Sequence, residues 1–169
     1  MSQLSYQDIK MRVNAATTLA DMFENSVGGP VGGSAIVGVG VDAVDVERLR
    51  GILTRRPGFA ARYFTEAERA DAGRSPDPTE SLAARFAAKE AVMKALGTGL
   101  GGFPLTDVEV GRTEGDGPTR NAPFLVLHRA AADLAEQRQA GRFHLSLSHT
   151  EHVAIAFVVA ERVAPCSPS

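Results

Sequence analysis

The sequence predicts an α+β fold with an antiparallel sheet, because helical segments are interleaved with hairpins rather than with single buried strands. Three observations carry this prediction: a strand of alternating Gly and Val, an alanine-rich helix in mid-chain and a hairpin near the end. A chain of 169 residues is long enough for one domain and short for two. We expect a core at residues 35–162, with an appendage at 1–34 and a tail at 163–169.

Composition is that of an ordinary globular protein and argues against several classes. Hydrophobic residues make up 44% and charged residues 22%, no apolar run approaches the roughly 20 residues of a membrane span, and the N-terminus lacks a signal-peptide pattern. The net charge of −2 gives no general attraction to nucleic acid or anionic membrane. The single cysteine, Cys166, excludes a disulfide or a cysteine-based metal site within one chain. We therefore expect a cytoplasmic protein.

The appendage is predicted to be a short helix followed by a flexible linker. Apolar residues recur at helical spacing before residue 24, and the glycine-rich segment 28–33 then interrupts the pattern. The apolar positions are Leu4, Ile9, Val13, Ala16, Leu19 and Phe23.

The first strand of the core has one bare face. Valines alternate there with Gly38 and Gly40, so another element is expected to approach the glycine face closely. Asp42 follows. A carboxylate at that position suits a cation and a phosphate chain, and it equally suits the N-cap of the helix that we predict from about Val44 to Arg56.

The same glycines match a weak variant of the dinucleotide fingerprint, G-x-G-x-x-A. A Rossmann unit should show a second strand ending in an acid roughly twenty residues later. Near that position the chain has Arg62, and then a capping box from Thr65 to Glu68 that opens a second helix. The context therefore argues against a dinucleotide fold.

The segment from Glu80 to Leu96 is the clearest helix, preceded by a loop at 75–78 and followed by Gly97, where a left-handed cap would fall. Glu90 and Lys94 lie i, i+4 on one face, and a solvated ion pair between them would explain that spacing. The surrounding alanines make the helix too apolar for a purely solvated role. Its charges therefore need partners elsewhere in the protein.

Two carboxylates, one on the first strand and one on the clearest helix, are candidates for a metal site. Glu90 and Asp42 together would hold one hard divalent cation, and Mg²⁺ would keep several waters and take phosphate oxygens as its other ligands. Lys94 and Arg85 would balance further phosphate charge.

Two strands, a helix and a final hairpin complete the prediction. Asp107–Val110 and Phe124–Leu127 are strands bridged by a turn at 115–118, and His128–Gln139 is a helix closed by Gly141. In the hairpin, Phe143, Leu145 and Leu147 face one way, His144, Ser146 and Ser148 the other, and Val153 to Val159 runs back. The Ser148-His149 neighbours lack a G-x-S-x-G elbow, which argues against a serine hydrolase.

A basic face is predicted on the helix after Asp42. Arg48, Arg55 and Arg56 recur at intervals of seven and eight residues, close to two helical turns. Such a face suits either solubility or contact with an acidic protein.

Three ordered segments, 36–42, 85–91 and 145–149, resemble the holo-acyl-carrier-protein synthases, which are 4′-phosphopantetheinyl transferases. The resemblance covers about Ala35 to Arg162 and also includes 64–68, 94–99 and 107–110. It implies the small α+β fold of that family, assembled as a homotrimer with active sites in clefts between subunits. The appendage at 1–34 is a departure from the family pattern.

The resemblance also implies residue roles. Asp42 and Glu90 would bind Mg²⁺ with the pyrophosphate of coenzyme A, and either would serve as general base. Lys94 would contact phosphate, and the basic helix would dock an acidic helix of the acyl carrier protein. Further coenzyme A contacts are implied for Arg85, Gly97, Gly99, Ser148 and His149. Two rivals remain: a noncatalytic carrier-binding module and a metal-dependent phosphohydrolase.

Overall fold

The computed structural model describes residues 35–99, 101–114, 116 and 120–163. The predicted appendage, nearly all of the predicted tail, and Gly115, Gly117 and Pro118 of the predicted turn lie outside these residues. Within the described ranges, no helix is both long and apolar enough to cross a membrane.

The larger sheet joins the first strand to the final hairpin. Strand β1 (Ile36–Asp45) pairs antiparallel with β5 (Val153–Arg162), which pairs antiparallel with β4 (Ala140–His149), so the order is β1-β5-β4. A second antiparallel pair consists of β2 (Val108–Arg112) and β3 (Pro123–Leu127). The predicted α+β class with small antiparallel sheets is confirmed.

Helices pack around both sheets, and the longest of them forms the centre of the core. This helix, α4 (Pro78–Ala95), is buried nearly all round and contacts both sheets, as expected for a helix with apolar residues all round. The helices are α1 (Val46–Arg55), α2 (Phe59–Tyr63), α3 (Glu66–Ala72), α4 (Pro78–Ala95) and α5 (Arg129–Gln137).

The predicted close approach to the bare face of β1 is made by α4. A Cβ atom added to Gly38 would lie 2.0 Å from the carbonyl oxygen of Ala95, and one added to Gly40 would lie 1.8 Å from that of Ala91. The two glycines therefore let the helix backbone rest directly on the strand. This contact places the C-terminal half of α4 beside the strand that carries Asp42.

Gly40→Ala is expected to destabilise the protein by about 3 kcal/mol, because a backbone carbonyl at 1.8 Å must move to admit the methyl group. The apparent Tm should fall by roughly 10 °C, as measured by thermal and urea unfolding. Gly58→Ala is the matched control, since Gly58 has helical backbone angles and nothing within 4 Å of its added Cβ. Similar losses in both variants would contradict the close approach.

The start of α1 differs from the prediction. β1 continues to Asp45, and α1 begins at Val46 rather than at about Val44, because the Asp45 carboxylate caps the helix by accepting from the Arg48 backbone N–H at 2.8 Å. Asp42 pairs with Ala156 inside the sheet. The alternative of Asp42 as the helix N-cap is therefore wrong.

The predicted end of the last helix is also wrong. That helix was expected to run from His128 to Gln139 with Gly141 closing it, but α5 ends at Gln137 and Gly141 lies within β4. The residue in the left-handed region is Gln139, with φ of 60°. Glycine is the usual residue there, so sequence placed the turn two residues late.

Smaller shifts affect two other elements. α4 begins at Pro78 rather than Glu80, because the Asp77 side chain accepts from the backbone N–H groups of Thr79 and Glu80 and proline fits the first helical turn. β2 begins at Val108, because Asp107 ends a short 3₁₀ helix (Leu105–Asp107). The capping box of Thr65 and Glu68 is confirmed.

Candidate active site

Asp42 and Lys94 meet where β1 crosses the last turns of α4. Asp42 is only 5% exposed, and its Oδ1 lies 2.8 Å from the Nζ atom of Lys94. The Lys94 ammonium also donates to the carbonyl oxygen of Val41, and its side chain remains 43% exposed. A carboxylate and an accessible ammonium therefore stand together at one edge of the core.

Glu90 lies one helical turn before Lys94 and is fully buried. Burial raises the pKa of its carboxyl from 4.5 to about 7, and the Lys94 ammonium partly opposes that rise. An acid in this environment changes its protonation near neutral pH, which is the range in which a general base works best. Lys94 thus contacts Asp42 on β1 and acts electrostatically on Glu90 within α4.

The donor set fits a hard divalent cation that is shared with a ligand. No group of three or more His, Cys, Asp or Glu side chains that could hold a metal occurs in the described part of the chain. Two carboxylates, Asp42 and Glu90, match Mg²⁺ bound through one or two protein oxygens plus phosphate and water. Such an ion neutralises charge on transferring phosphoryl groups.

Arg85 lies further back on α4 and is 1% exposed. Its guanidinium binds the Asp71 carboxylate on α3 and donates to the backbone and side chain of Ser81. Desolvation lowers the pKa of Arg85, and Asp71 opposes that effect. The sequence indicated that this charge needs a partner, but nothing in the sequence identified Asp71.

A cavity of about 320 Å³ opens beside this ion pair, at the N-terminal half of α4. His149 lines it, with its Nδ1 atom 3.7 Å from the Glu80 carboxylate. Two exposed arginines, Arg74 and Arg112, complete a basic wall that the sequence analysis missed. The sequence does not indicate that these two arginines lie together, because Arg74 follows α3 and Arg112 lies in β2.

The other residues predicted to contact coenzyme A lie in two different parts of the structure. Gly97, with φ of 66°, and Gly99 follow the last turn of α4 near Lys94. Ser148 and His149 lie on opposite faces of β4, because side chains alternate along a strand. His149 faces the cavity, whereas Ser148 shares the outer face of the sheet with its pairing partner Ile155.

That outer face of the larger sheet is unusually apolar for a surface. Val41, Ile155 and Phe157 are 47%, 44% and 43% exposed, and Val41 pairs directly with Phe157. Apolar patches of this kind on a sheet mark contact surfaces.

Comparison with known proteins identifies the family. The model of the 4′-phosphopantetheinyl transferase superfamily matches residues 38–158, which span both the β1 carboxylate and the final hairpin. This chain belongs to that superfamily. The matched range contains Asp42, Glu90 and Lys94.

Two similar relatives are both named holo-[acyl-carrier-protein] synthase. The chain is 50% identical over 127 residues to holo-[acyl-carrier-protein] synthase of Salinispora arenicola, covering 75% of this chain and 99% of the relative. It is 39% identical over 137 residues to the Geobacillus kaustophilus enzyme of the same name, covering 79% and 95%.

Solved structures of such synthases share the fold. The Neisseria meningitidis synthase aligns with a TM-score of 0.66 and 33% identity over 75% of this chain and 99% of that one. The Bacillus anthracis synthase, in complex with coenzyme A (3′,5′-ADP), aligns with a TM-score of 0.61 and 35% identity over 76% and 98%. The Helicobacter pylori synthase, in complex with coenzyme A, aligns with a TM-score of 0.62 and 27% identity over 73% and 99%.

Proposed function

We propose that this protein is a holo-acyl-carrier-protein synthase, which transfers 4′-phosphopantetheine from coenzyme A to a serine of an apo acyl carrier protein. The observation that carries the proposal is the contact of Lys94 with Asp42 where β1 crosses α4, with the buried Glu90 one helical turn before Lys94. Two carboxylates and one accessible ammonium suit the pyrophosphate of a coenzyme A bound with Mg²⁺. Membership of the superfamily supports the same reaction.

In the proposed reaction, the carrier serine oxygen attacks the β-phosphorus of coenzyme A. A new P–O bond forms to serine, the bridging P–O bond breaks, and 3′,5′-ADP leaves with the bridging oxygen. Lys94 neutralises charge on the phosphates, which is most of what phosphoryl transfer requires from a protein. The serine proton passes to Glu90 or Asp42, directly or through a water. The raised pKa of Glu90 favours Glu90 as the acceptor.

The cavity beside His149 is proposed to hold the adenosine phosphate end of coenzyme A. Arg85 and Lys94 are nine residues apart on α4, which corresponds to about 14 Å along the helix. An extended ligand such as coenzyme A spans that distance. This arrangement keeps the reacting pyrophosphate at Lys94 and leaves the nucleotide near His149 and Arg112.

The transfer assay measures the intact mass of an apo carrier after incubation with the protein, coenzyme A and Mg²⁺. A gain of about 340 daltons, the phosphopantetheine increment, that disappears with chelator supports both the reaction and the metal. Coenzyme A binding without transfer to several carriers would favour the noncatalytic module instead. Release of phosphopantetheine without a carrier would favour the phosphohydrolase.

The basic face of α1 is proposed to dock the carrier. Arg48, Arg55 and Arg56 are all exposed. The family resemblance implies that they would contact an acidic helix of the acyl carrier protein. Charge reversal by Arg48→Glu with Arg55→Glu should lower kcat/KM for the carrier at least tenfold, because like charges then face each other. Coenzyme A affinity, measured by calorimetry, should be retained.

Arg138→Glu is the control for each of the single variants Arg48→Glu and Arg55→Glu, since Arg138 is exposed at the end of α5 and its reversal makes the same charge change elsewhere. An equal loss in the Arg138 variant would show that net charge matters rather than the α1 face. Added salt should reduce the difference in kcat/KM for the carrier between the wild type and the double variant.

The assembly is proposed to be a homotrimer with active sites between subunits. The apolar outer face of the sheet, with Val41, Ile155 and Phe157 exposed, supports burial of this face against other copies. Light scattering should give about three times the chain mass of 17.8 kDa. We place this enzyme in the cytoplasm, where the carrier proteins of fatty-acid synthesis would be its partners.

A further inference from the structure

One carboxylate stands at the centre of three guanidinium groups beside the proposed coenzyme A site. Asp71 Oδ1 lies 2.5 Å from Nη2 of Arg74, and Asp71 Oδ2 binds Nη2 of Arg85 and lies 3.9 Å from Nε of Arg112. The three arginines come from three different segments: the loop after α3, the middle of α4 and β2. Asp71 is therefore the common contact that gathers them.

The three ion pairs differ in access to solvent. The side chain of Arg85 is 1% exposed, whereas those of Arg74 and Arg112 are 72% and 40% exposed. A buried guanidinium must keep its counter-ion, because leaving it uncompensated is costly. An accessible guanidinium can exchange its counter-ion for a ligand anion at little cost.

The accessible pair lines two adjoining cavities. Asp71, Arg74, Arg112 and Asn121 line both the 320 Å³ cavity that contains His149 and a neighbouring cavity of about 360 Å³. Glu80 also lines the first cavity, and Arg120 lines the second together with two further acids, Glu114 and Asp116. Around Asp71 itself, three positive charges face one negative charge.

We propose that Asp71 is a positioning residue of the coenzyme A site: it gathers Arg74, Arg85 and Arg112, and a ligand phosphate replaces it as the partner of Arg74 and Arg112. Arg85 keeps Asp71 throughout. This role rests on the proposed function, since it assumes that the adenosine phosphate end of coenzyme A enters the cavity.

The exchange has a consequence for affinity. A phosphate bound by Arg74 and Arg112 lies close to the retained Asp71 carboxylate, and the two negative charges repel each other. Asp71 thus keeps the arginines in place before binding and weakens the hold on 3′,5′-ADP afterwards. Removing its charge while keeping an oxygen for Arg85 should tighten phosphate binding.

The test compares Asp71→Asn with the wild type in calorimetric titrations at low salt. Asp71→Asn should bind 3′,5′-ADP about fivefold more tightly, while binding of uncharged adenosine should be the same in both proteins. Without ligand, the Tm of the variant should be lower than that of the wild type. Saturating 3′,5′-ADP should make this difference in Tm smaller. A merely structural role for Asp71 would lower stability by the same amount with and without ligand.

Asp133→Asn provides the control, because Asp133 is an exposed carboxylate on α5 and should behave as the wild type. Equal or weaker 3′,5′-ADP binding by Asp71→Asn, with normal binding by the wild type, would overturn the role of Asp71 alone. Failure of the wild type to bind either 3′,5′-ADP or coenzyme A would overturn the proposed function and this role with it.

Discussion

Glu90→Gln should lower the rate of phosphopantetheine transfer at least a hundredfold, the scale of losing one preorganised electrostatic group. Glutamine keeps the size of the side chain but neither binds a divalent cation as a carboxylate does nor accepts a proton. The measurement is the initial rate of carrier mass gain at saturating coenzyme A and Mg²⁺. Near-normal turnover would remove Glu90 from the mechanism.

The fold should survive this substitution, which separates loss of chemistry from unfolding. The pKa of Glu90 is raised from 4.5 to about 7 by burial, so the folded protein holds a proton there that the unfolded chain has lost. The stability associated with this proton is fully present below pH 4.5 and is lost as the pH rises towards 7, by about 3 kcal/mol.

Glutamine does not titrate, so Glu90→Gln should remove that pH dependence. With chelator present, its Tm should equal or exceed that of the wild type at pH 8, and the two should converge near pH 5. A Tm well below that of the wild type at pH 8 would mean that the lost rate reflects a damaged fold. The wild type with Mg²⁺ and coenzyme A shows whether ligand restores its stability at pH 8.

Part of the site was predictable because its residues sit on elements with clear local signals. Gly38 and Gly40 predicted that another element would press on β1, and the alanines of α4 made that helix slim enough to do so. The close packing of these two elements then brings Asp42 against Lys94. Helical periodicity predicted that Glu90 and Lys94 lie on the same face of one helix.

The remainder depends on tertiary contacts that local sequence does not encode. The sequence predicts that the charges of α4 need partners, but the partners of Arg85 and Lys89 are Asp71 and Glu68 on α3. Only the packing of α3 on α4 brings these pairs together. The turn after α5 uses Gln139, which has φ of 60° and whose backbone N–H donates to the Glu136 carbonyl at 2.9 Å, and Gly141 already lies in β4. Ser148 and His149 face opposite sides of β4, so neighbours in sequence serve different surfaces.

Lys89→Met should destabilise the protein by about 3–5 kcal/mol. Lys89 and Glu68 are both fully buried, with Nζ 2.7 Å from Oε2. The ammonium also donates to the carbonyl oxygens of Leu105 at 3.0 Å and Val108 at 2.6 Å. Methionine fills the space, but it leaves the Glu68 carboxylate without a positive partner and two carbonyls without a donor.

The loss should appear as a fall in Tm of roughly 10 °C or more and as a lower urea midpoint with an unchanged slope. Burial lowers the pKa of Lys89, and Glu68 opposes that effect. The pair therefore acts as a unit that joins α3, α4 and β2.

A double-mutant cycle isolates that unit. Glu68→Gln in the Lys89→Met background removes the unpaired charge, and it keeps a side-chain oxygen for one of the backbone N–H groups of Thr65 and Val110 that Glu68 now serves. The double variant should therefore be more stable than Lys89→Met alone. If Glu68→Gln instead destabilised the Lys89→Met protein further, the capping and strand contacts of Glu68 would outweigh the cost of its buried charge.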